Sequence, residues 1–303
     1  MDSQSKIILI AGPTASGKSS LAIKLAKKIG GEIINTDSMQ VYKQFKILTA
    51  RPTKKEQNNI KHHLYGIIDV RKNFSTGKWL KLAIKKIKEV KNRKKIPILV
   101  GGTGLYFQSL VNGLVKIPNI PTKIRNKVRL MQKKEGQVNF YKKLIKLDKK
   151  SQNKIDSNDI QRSIRAFEIK YYTKISMYEW LRKTKSKFKE DEFLKIYIDF
   201  NRTEIVNRIS SRVKKMITDG VVKEVKQLID QDIEKDLTAN KIIGVDELTQ
   251  YLNNQISLEK AKELICIRTR QYAKRQATWA RSRMISWNKI NQDQVSNWIK
   301  KIK

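Results

Sequence analysis

Cysteine and histidine are almost absent: Cys266, His62 and His63 are the only ones in 303 residues. A single cysteine excludes an intrachain disulfide, and so few of these side chains leave little for a Cys/His zinc site. Long apolar runs are missing too. None approaches the roughly 18 residues that cross a bilayer, and the opening MDSQSK is followed only by IILIAG before polar residues return. Neither a membrane span nor a signal peptide is therefore expected, and a reducing, cytoplasmic setting is. Acidic residues are scarce, with 28 Asp+Glu against 66 Lys+Arg and a net charge of +38.

What is present is ordinary globular material, 39% hydrophobic and 31% charged, enough for about two domains with a proper core. That balance excludes collagenous, disulfide-scaffold and mostly disordered classes. Two readings of the charge stand. A polyanion, nucleic acid first, gains affinity from counterion release as its phosphates are neutralised. Alternatively lysine is simply the favoured solvated residue here, since Lys85-Lys86, Lys94-Lys95 and Lys149-Lys150 are scattered rather than gathered in one tail.

Along the chain, the apolar run Ile7 to Ala11 is followed by a Gly-rich turn and then by Ala22, Leu25, Ala26 and Ile29 at helical spacing, closed by Gly30-Gly31. This predicts strand, loop and amphipathic helix. Glu32-Ile33-Ile34 predicts a second strand, and Leu64 to Val70 is a further candidate. Leu80, Ala83, Ile84 and Ile87 mark a helix between Ser75 and Lys95, and Ile96 to Val100 is a strand ending in Gly101-Gly102. Strands alternating with helices imply a mainly parallel sheet covered on both faces. From 116 to 190 the pattern turns to charged helix, with Ile160, Ile164, Phe167 and Tyr171 on one stripe. Leu194 to Phe200 restores a strand. Ile205, Ile209, Val213 and Met216 mark a helix that stops near Gly220, and the remainder to Arg283 is helical and basic.

Gly12-Pro13-Thr14-Ala15-Ser16-Gly17-Lys18-Ser19 fits G-x-x-x-x-G-K-[ST], directly after a predicted strand and opening a helix. Glycines let backbone N–H groups turn inward around phosphate oxygens, the helix N-terminus adds positive potential, Lys18 supplies a charge and Ser19 a hydroxyl for Mg²⁺. The motif predicts phosphate binding and is silent on whether the phosphates belong to a nucleotide. A nucleoside triphosphatase normally carries an acid after an apolar strand to help hold Mg²⁺. Here Ile96 to Val100 ends in Gly101-Gly102-Thr103-Gly104, and Asp69 is only a fair substitute. Asp37, just past a predicted strand end, sits where open α/β sheets place ligands. By position it is a general base, a metal partner or a turn residue.

In order along the chain, the phosphate loop, Asp37-Ser38-Met39-Gln40-Val41-Tyr42, Thr49-Ala50-Arg51-Pro52-Thr53, His62-His63-Leu64 and Gly101-Gly102-Thr103-Gly104-Leu105-Tyr106 resemble the bacterial tRNA dimethylallyltransferase family. The resemblance continues through Asn158-Asp159-Ile160-Gln161-Arg162, Arg165-Ala166-Phe167-Glu168 and Tyr272-Ala273-Lys274-Arg275-Gln276-Ala277-Thr278-Trp279. It implies an α/β fold with a P-loop NTPase-like parallel sheet flanked by helices. The core would comprise 1–115 and 191–303, and an inserted all-helical domain, 116–190, would contact tRNA.

The resemblance implies transfer of a dimethylallyl group from dimethylallyl diphosphate to the N6 amine of the adenosine immediately 3′ of the tRNA anticodon, with diphosphate released and no ATP hydrolysed. It assigns the base to Asp37, the diphosphate to the loop Gly12 to Ser19 and to Arg208, Mg²⁺ to Ser19, and channel positions to Thr14 and Thr103. Without it, Arg208 reads as an exposed helical residue. Contacts with the tRNA anticodon stem-loop fall on Asp37, Ser38, Met39, Gln40, Thr103, Arg125, Gln161, Arg162, Ser163, Ile164, Arg165, Lys241 and Gly244. The protein is expected to be a monomer without a membrane partner.

Two alternatives remain at this stage: an isopentenyltransferase acting on free adenine nucleotides, and an ATP-binding RNA-associated protein. The basic residues around Tyr272 and Trp279 suit RNA contact, or else the aromatics are core and only the cations face solvent. The chain departs from the family's usual Ile-Gly-Tyr-Lys-Glu at Ile243-Gly244-Val245-Asp246-Glu247, and from Ile-His-Pro-Asn-Asp at Ile155-Asp156-Ser157-Asn158-Asp159. His62 and His63 are expected in packing or turn hydrogen bonds, not in catalysis.

Overall fold

The structure, a computed structural model, describes residues 6–231 and 237–301. Residues 1–5 of the opening segment considered above lie outside it. In chain order the elements are β1 (Ile7–Ala11), α1 (Lys18–Ile29), β2 (Gly31–Asn35), α2 (Lys54–Gln57), β3 (His62–His63), α3 (Thr76–Asn92), β4 (Ile96–Gly101) and α4 (Gly104–Val111). Then come α5 (Thr122–Leu147), α6 (Ile160–Thr173), α7 (Met177–Arg182), β5 (Phe193–Ile198), α8 (Arg202–Thr218), α9 (Val221–Ile229), α10 (Val245–Leu252), α11 (Leu258–Arg283), β6 (Asn288–Ile290) and α12 (Val295–Lys301). Two compact units result: Met1–Val111 with Phe188–Lys303, and Asn112–Lys187.

The larger unit is an α/β fold around one parallel sheet of order β3-β2-β4-β1-β5-β6. β1 lies between β4 and β5, with Ile10 opposite both Val100 and Ile196. Side chains alternate across the pleat. Ile7, Leu9, Ile34 and Leu99 therefore pack under α3 and α4, while Ile8, Ile10, Ile33 and Ile98 pack against α1. Both faces being covered explains why the strands are nearly continuous apolar runs. A third apolar cluster joins α8, α9, α10 and α11 to the segment around Val41 and Leu48.

Two expectations are corrected here. Leu64 to Val70 is not a strand: Leu64 (φ 64) and Gly66 (φ 56) are left-handed, so only His62–His63 pairs with β2, and Ile68 makes a single bridge to Tyr42. The buried face of α3 is centred on Trp79, Ala83, Ile87 and Val90, so Ala83 and Ile87 of the expected stripe lie in it while Leu80 and Ile84 flank it, partly buried against the same cluster. The Trp79 indole is drawn inward because it stacks on Tyr106 (4.3 Å) and its Nε1 donates to the Asn35 carbonyl at 2.9 Å. The three-residue β6 is too short to leave a sequence pattern. His62 and His63 behave as expected: Nδ1 of His62 bonds the Ile60 carbonyl, and His63 shares buried Glu32 with Arg93.

The smaller unit is wholly helical among its described residues. α5 breaks at Gly136 (φ 74, ψ 165), and Val128, Phe140 and Leu144 pack against Ala166 and Phe167 of α6.

Candidate active site

The carboxyl ends of β1, β2 and β4 converge on a cavity of about 410 Å³ within the larger unit. The loop after β1 enters α1 through Gly17, whose φ of 81 is a left-handed conformation that glycine adopts without strain. No side chain caps this helix start, so the amides of its first turn remain available to an anion. Nζ of Lys18 donates to the Pro13 carbonyl at 3.0 Å and holds the loop closed. Burial pushes the Lys18 ammonium down to about 8 against the opposing pull of Asp37, and nearby Arg212 lowers it further.

Of the expected diphosphate residues, Thr14, Ala15, Gly17, Lys18 and Ser19 line this cavity. Gly12, Pro13 and Ser16 do not; they form the body of the loop. Ser16 is buried, and a Cβ on Gly12 would meet its Oγ at 2.7 Å. The Thr14 amide is committed as a donor to Gln276 Oε1 (2.9 Å), and Gln276 Nε2 donates to the Gly102 carbonyl (2.9 Å). One amide of α11 thus ties the phosphate loop to the turn after β4.

Asp37 follows β2 and is held by Asn35, which is fully buried. Asn35 Oδ1 accepts from the Asp37 amide (2.9 Å), while its Nδ2 donates to the carbonyls of Asp37 (2.9 Å) and Leu64 (3.1 Å). The Asp37 side chain makes a turn bond, Oδ1 accepting from the Met39 amide at 2.9 Å. Among the described residues Oδ2 takes no hydrogen bond, so the turn role and a proton-accepting role coexist on one carboxylate. Thr103 Oγ1 accepts from the Ser38 amide (3.0 Å) and donates to Ser38 Oγ (3.2 Å). The two turns touch so closely that a Cβ on Gly101 would lie 2.1 Å from the Thr36 carbonyl oxygen, which is why only glycine fits. Thr103 itself lines a second, largely apolar cavity of about 240 Å³, which shares Gly101, Tyr272 and Arg275 with the first.

Arg208 is the clearest relocation. Its side chain lies outside the lining and pairs with Glu204 across one helical turn (3.5 Å). The next turn of α8 instead brings Arg212 into the cavity, where Nη1 donates to Thr14 Oγ1 at 2.8 Å. Burial lowers the Arg212 pKa and Asp37 opposes the shift; a guanidinium keeps its charge regardless. Asp69, the candidate second acid, is also elsewhere, held well below the usual carboxylate range by its bonds to Arg71 and Gln44. Asp37 is accordingly the one acid among the lining residues, facing Lys18, Arg212, Lys241 and Arg275. The opposite wall is apolar: Leu48, Ile209, Val213, Met216, Ile242 and Ile265 belong to the cluster formed by α8 to α11.

The expected tRNA residues separate into groups. Met39, Gln40 and Lys241 line the cavity with Asp37. Gly244 backs the wall: it opens α10 at φ 103, and a Cβ there would strike Leu48 Cδ1 at 2.4 Å. At the departure from the family pattern, Asp246 pairs with Arg268 at 3.0 Å. In the helical unit, Gln161 and Arg162 are exposed at the start of α6, with Arg162 bonded to Asp159, and Arg165 bonds Glu168. Ser163 and Ile164 point inward, Ser163 fully buried against Gln137 and Ile164 in the apolar cluster. A run of five helical residues covers more than a full turn and cannot present every side chain outward. Arg125 is half-buried on α5.

Sequence reasoning missed Arg212, Asn35 and the bridging role of Gln276. Arg212 had a usable signal, standing three residues after Ile209 and just before Val213 on the apolar side of α8. Asn35 had none, and Gln276 stood in a family-like string that does not name its partners, because those are backbone groups. The aromatics of α11 also divide. Tyr272 lines the cavity, whereas Trp279 packs over Gly104, where a Cβ would come within 2.2 Å of the ring.

A glycine-rich anion cradle at the carboxyl ends of a parallel sheet, with four cations, a single carboxylate and an apolar wall around one cavity, defines a phosphate-loop protein of the α/β class. Residues 40–283 match the family model described as IPP transferase. The chain is 65% identical to a tRNA dimethylallyltransferase of Pelagibacter ubique over 100% of its own length and 97% of the relative's. It is 41% identical to that of Rickettsia massiliae over 98% and 83%. Among solved structures, the tRNA isopentenylpyrophosphate transferase of Bacillus halodurans superposes with a TM-score of 0.69 at 31% identity, covering 98% of this chain and 95% of that one. A eukaryotic dimethylallyltransferase acting on tRNA superposes at 0.83 and 31% identity, covering 97% and 75%. The chain belongs to the IPP transferase family.

Proposed function

We propose that this protein transfers a dimethylallyl group from dimethylallyl diphosphate to the exocyclic N6 amine of the adenosine immediately 3′ of the anticodon in tRNA, releasing diphosphate. The observation that carries this reading is the placement of Asp37 in the same cavity as Lys18 and Arg212, with an apolar wall beside them. An adenine amine is a poor nucleophile because its lone pair is delocalised into the ring. As its nitrogen bonds the allylic carbon, Asp37 Oδ2 takes the amine proton, and the breaking C–O bond leaves its electron pair on the diphosphate. Negative charge grows on the leaving oxygens, and Lys18, Arg212 and the amides of the first turn of α1 are the donors that would meet it; preorganised donors stabilise such charge most in the transition state.

Ser19 is the residue that would hold Mg²⁺. Among the described residues no three His, Cys, Asp or Glu side chains cluster, so an ion at Ser19 would take its other ligands from substrate and water. When bound, the ion adds neutralising charge at the leaving group. The target adenosine lies within an anticodon loop and must be drawn out of its stack to meet Asp37; a net charge of +38 suits the chain to holding the tRNA backbone. Among the described residues no helix is long and apolar enough to cross a membrane. We place the enzyme in the cytoplasm, where its acceptor is found. We propose that it acts as a monomer. A nucleotide hydrolase is disfavoured because the cavity offers no acid besides Asp37 among its described lining residues.

Labelled dimethylallyl diphosphate offered with an anticodon stem-loop or with AMP tests the reading. Label is expected in the stem-loop alone; preferential labelling of AMP would establish the free-nucleotide alternative, and phosphate release from ATP without donor would establish the hydrolase.

Donor binding should also depend on pH. Burial holds the Lys18 ammonium down at about 8, and a bound diphosphate raises that value. Protonated Lys18 then contributes fully below about pH 8, and affinity falls as pH rises through that value by up to about tenfold per unit. Calorimetric titration with a non-hydrolysable thiodiphosphate analogue is expected to show this loss in the native enzyme and a flat profile in Lys18→Met.

A further inference from the structure

The turn that follows Phe45 is gripped from outside the cleft. Glu224, on α9, accepts hydrogen bonds from three successive backbone amides, those of Lys46, Ile47 (2.9 Å) and Leu48 (2.8 Å). The turn closes on itself, the Arg51 amide donating to the Lys46 carbonyl at 2.9 Å, with Ala50 in the left-handed region at φ 46. Its next two carbonyls, Thr49 and Ala50, both accept from Gln40 Nε2, at 2.9 and 3.1 Å.

Carbonyl oxygens can only accept, so the chemistry fixes which way the Gln40 amide faces. Both of its N–H bonds are committed to the turn. Its Oε1 takes no hydrogen bond from any described residue, and Gln40 lines the cavity three residues after Asp37. The cleft is thus offered a lone pair at this position and no donor.

We propose that Gln40 reads the exocyclic group of the acceptor base through Oε1, and that Glu224 is a positioning residue that keeps Gln40 in this orientation by way of the 46–50 turn. This rests on the reading that a purine enters the cleft. An exocyclic amine has two N–H bonds: one proton leaves to Asp37, and the other is available to Gln40 Oε1. A keto oxygen in the same place meets lone pairs from both residues, so a base carrying one is rejected at binding, before any chemistry. Sites built to hydrogen-bond a substrate group discriminate strongly because the mismatched analogue leaves site polar groups unpaired.

Competition binding tests this with three stem-loops carrying adenosine, inosine or unsubstituted purine riboside at the target position. The native protein is expected to bind the adenosine stem-loop most tightly, the plain purine one next and the inosine one least. Gln40→Ala is expected to shrink the adenosine-to-inosine ratio about 10-fold while leaving the purine stem-loop nearly unchanged. Glu224→Gln should shrink the same ratio by a smaller factor, since its amide nitrogen cannot accept from the turn. A purely structural role would weaken all three stem-loops in parallel. An unchanged ratio in Gln40→Ala, or parallel loss across the three, overturns the proposal. Failure of the native protein to bind any of the three would instead overturn the parent reading.

Discussion

Asp37→Ala is expected to slow the chemical step by about 10²- to 10⁴-fold, the usual worth of a positioned general base, while tRNA binding is retained. The amine nitrogen must lose a proton as it bonds carbon, and Asp37 is the one carboxylate among the described cavity residues. Its Oδ1 is occupied by the Met39 amide, and Oδ2 is left to accept. Single-turnover rates with saturating tRNA and donor measure the step directly, and a filter-binding titration with the stem-loop measures binding. Near-native turnover in this variant would remove Asp37 from the mechanism. Asp37→Asn sharpens the test, because it keeps the turn geometry and removes only the basic oxygen pair.

The second large effect is expected at Arg212. Its guanidinium bonds Thr14 Oγ1 inside the cavity and sits close enough to Lys18 to influence its charge. Arg212→Ala should lower turnover by about 10²- to 10³-fold, the scale seen when a preorganised donor to developing negative charge is removed, and should weaken donor binding as well. Arg208→Ala is the matched control. That residue is half-exposed and pairs with Glu204, and exposed pairs of this kind contribute only about 0 to 1 kcal/mol. Comparable losses in the two variants would mean that α8 presents a different face to the donor from the one described here.

The difference between Arg208 and Arg212 shows where sequence reasoning stops. Both lie on α8, one turn apart, and both precede an apolar residue of the same stripe, Ile209 or Val213. Helical periodicity says only that they are neighbours. Which of them meets the phosphate loop depends on how far along its axis α8 packs against the rest of the core. The run Gln161 to Arg165 makes the same point in reverse. A contiguous motif invites assignment as a contiguous surface, yet the helical turn sends Ser163 and Ile164 into the core of their unit.

The phosphate loop was legible because its chemistry is local: eight successive residues carry the turn, the amides, the charge and the hydroxyl. Asp37 was legible as a position, a carboxylate just past a strand end, though not as a geometry. Its orientation comes from Asn35 and, through the amide of the neighbouring Ser38, from Thr103, which is 65 residues from Ser38 in the chain. The Gln276 bridge joins groups 262 residues apart, and the grip of Glu224 on the 46–48 amides spans 176 to 178. Each of these contacts ends on a backbone N–H or C=O, which every residue but proline offers equally, so no side-chain pattern announces the partner.

The amino-acid order alone therefore determined the alternation of strand and helix, the anion cradle, the strand-end carboxylate and the basic, disulfide-free character of the chain. These depend on hydrophobic period, on glycine conformation and on side-chain charge within a few residues. Tertiary structure alone decided which arginine reaches the phosphate loop, which oxygen of Asp37 is left to accept, and which way Gln40 turns its amide. Those follow from packing and hydrogen bonds between segments that meet only when the sheet and the helices around it close over the cleft.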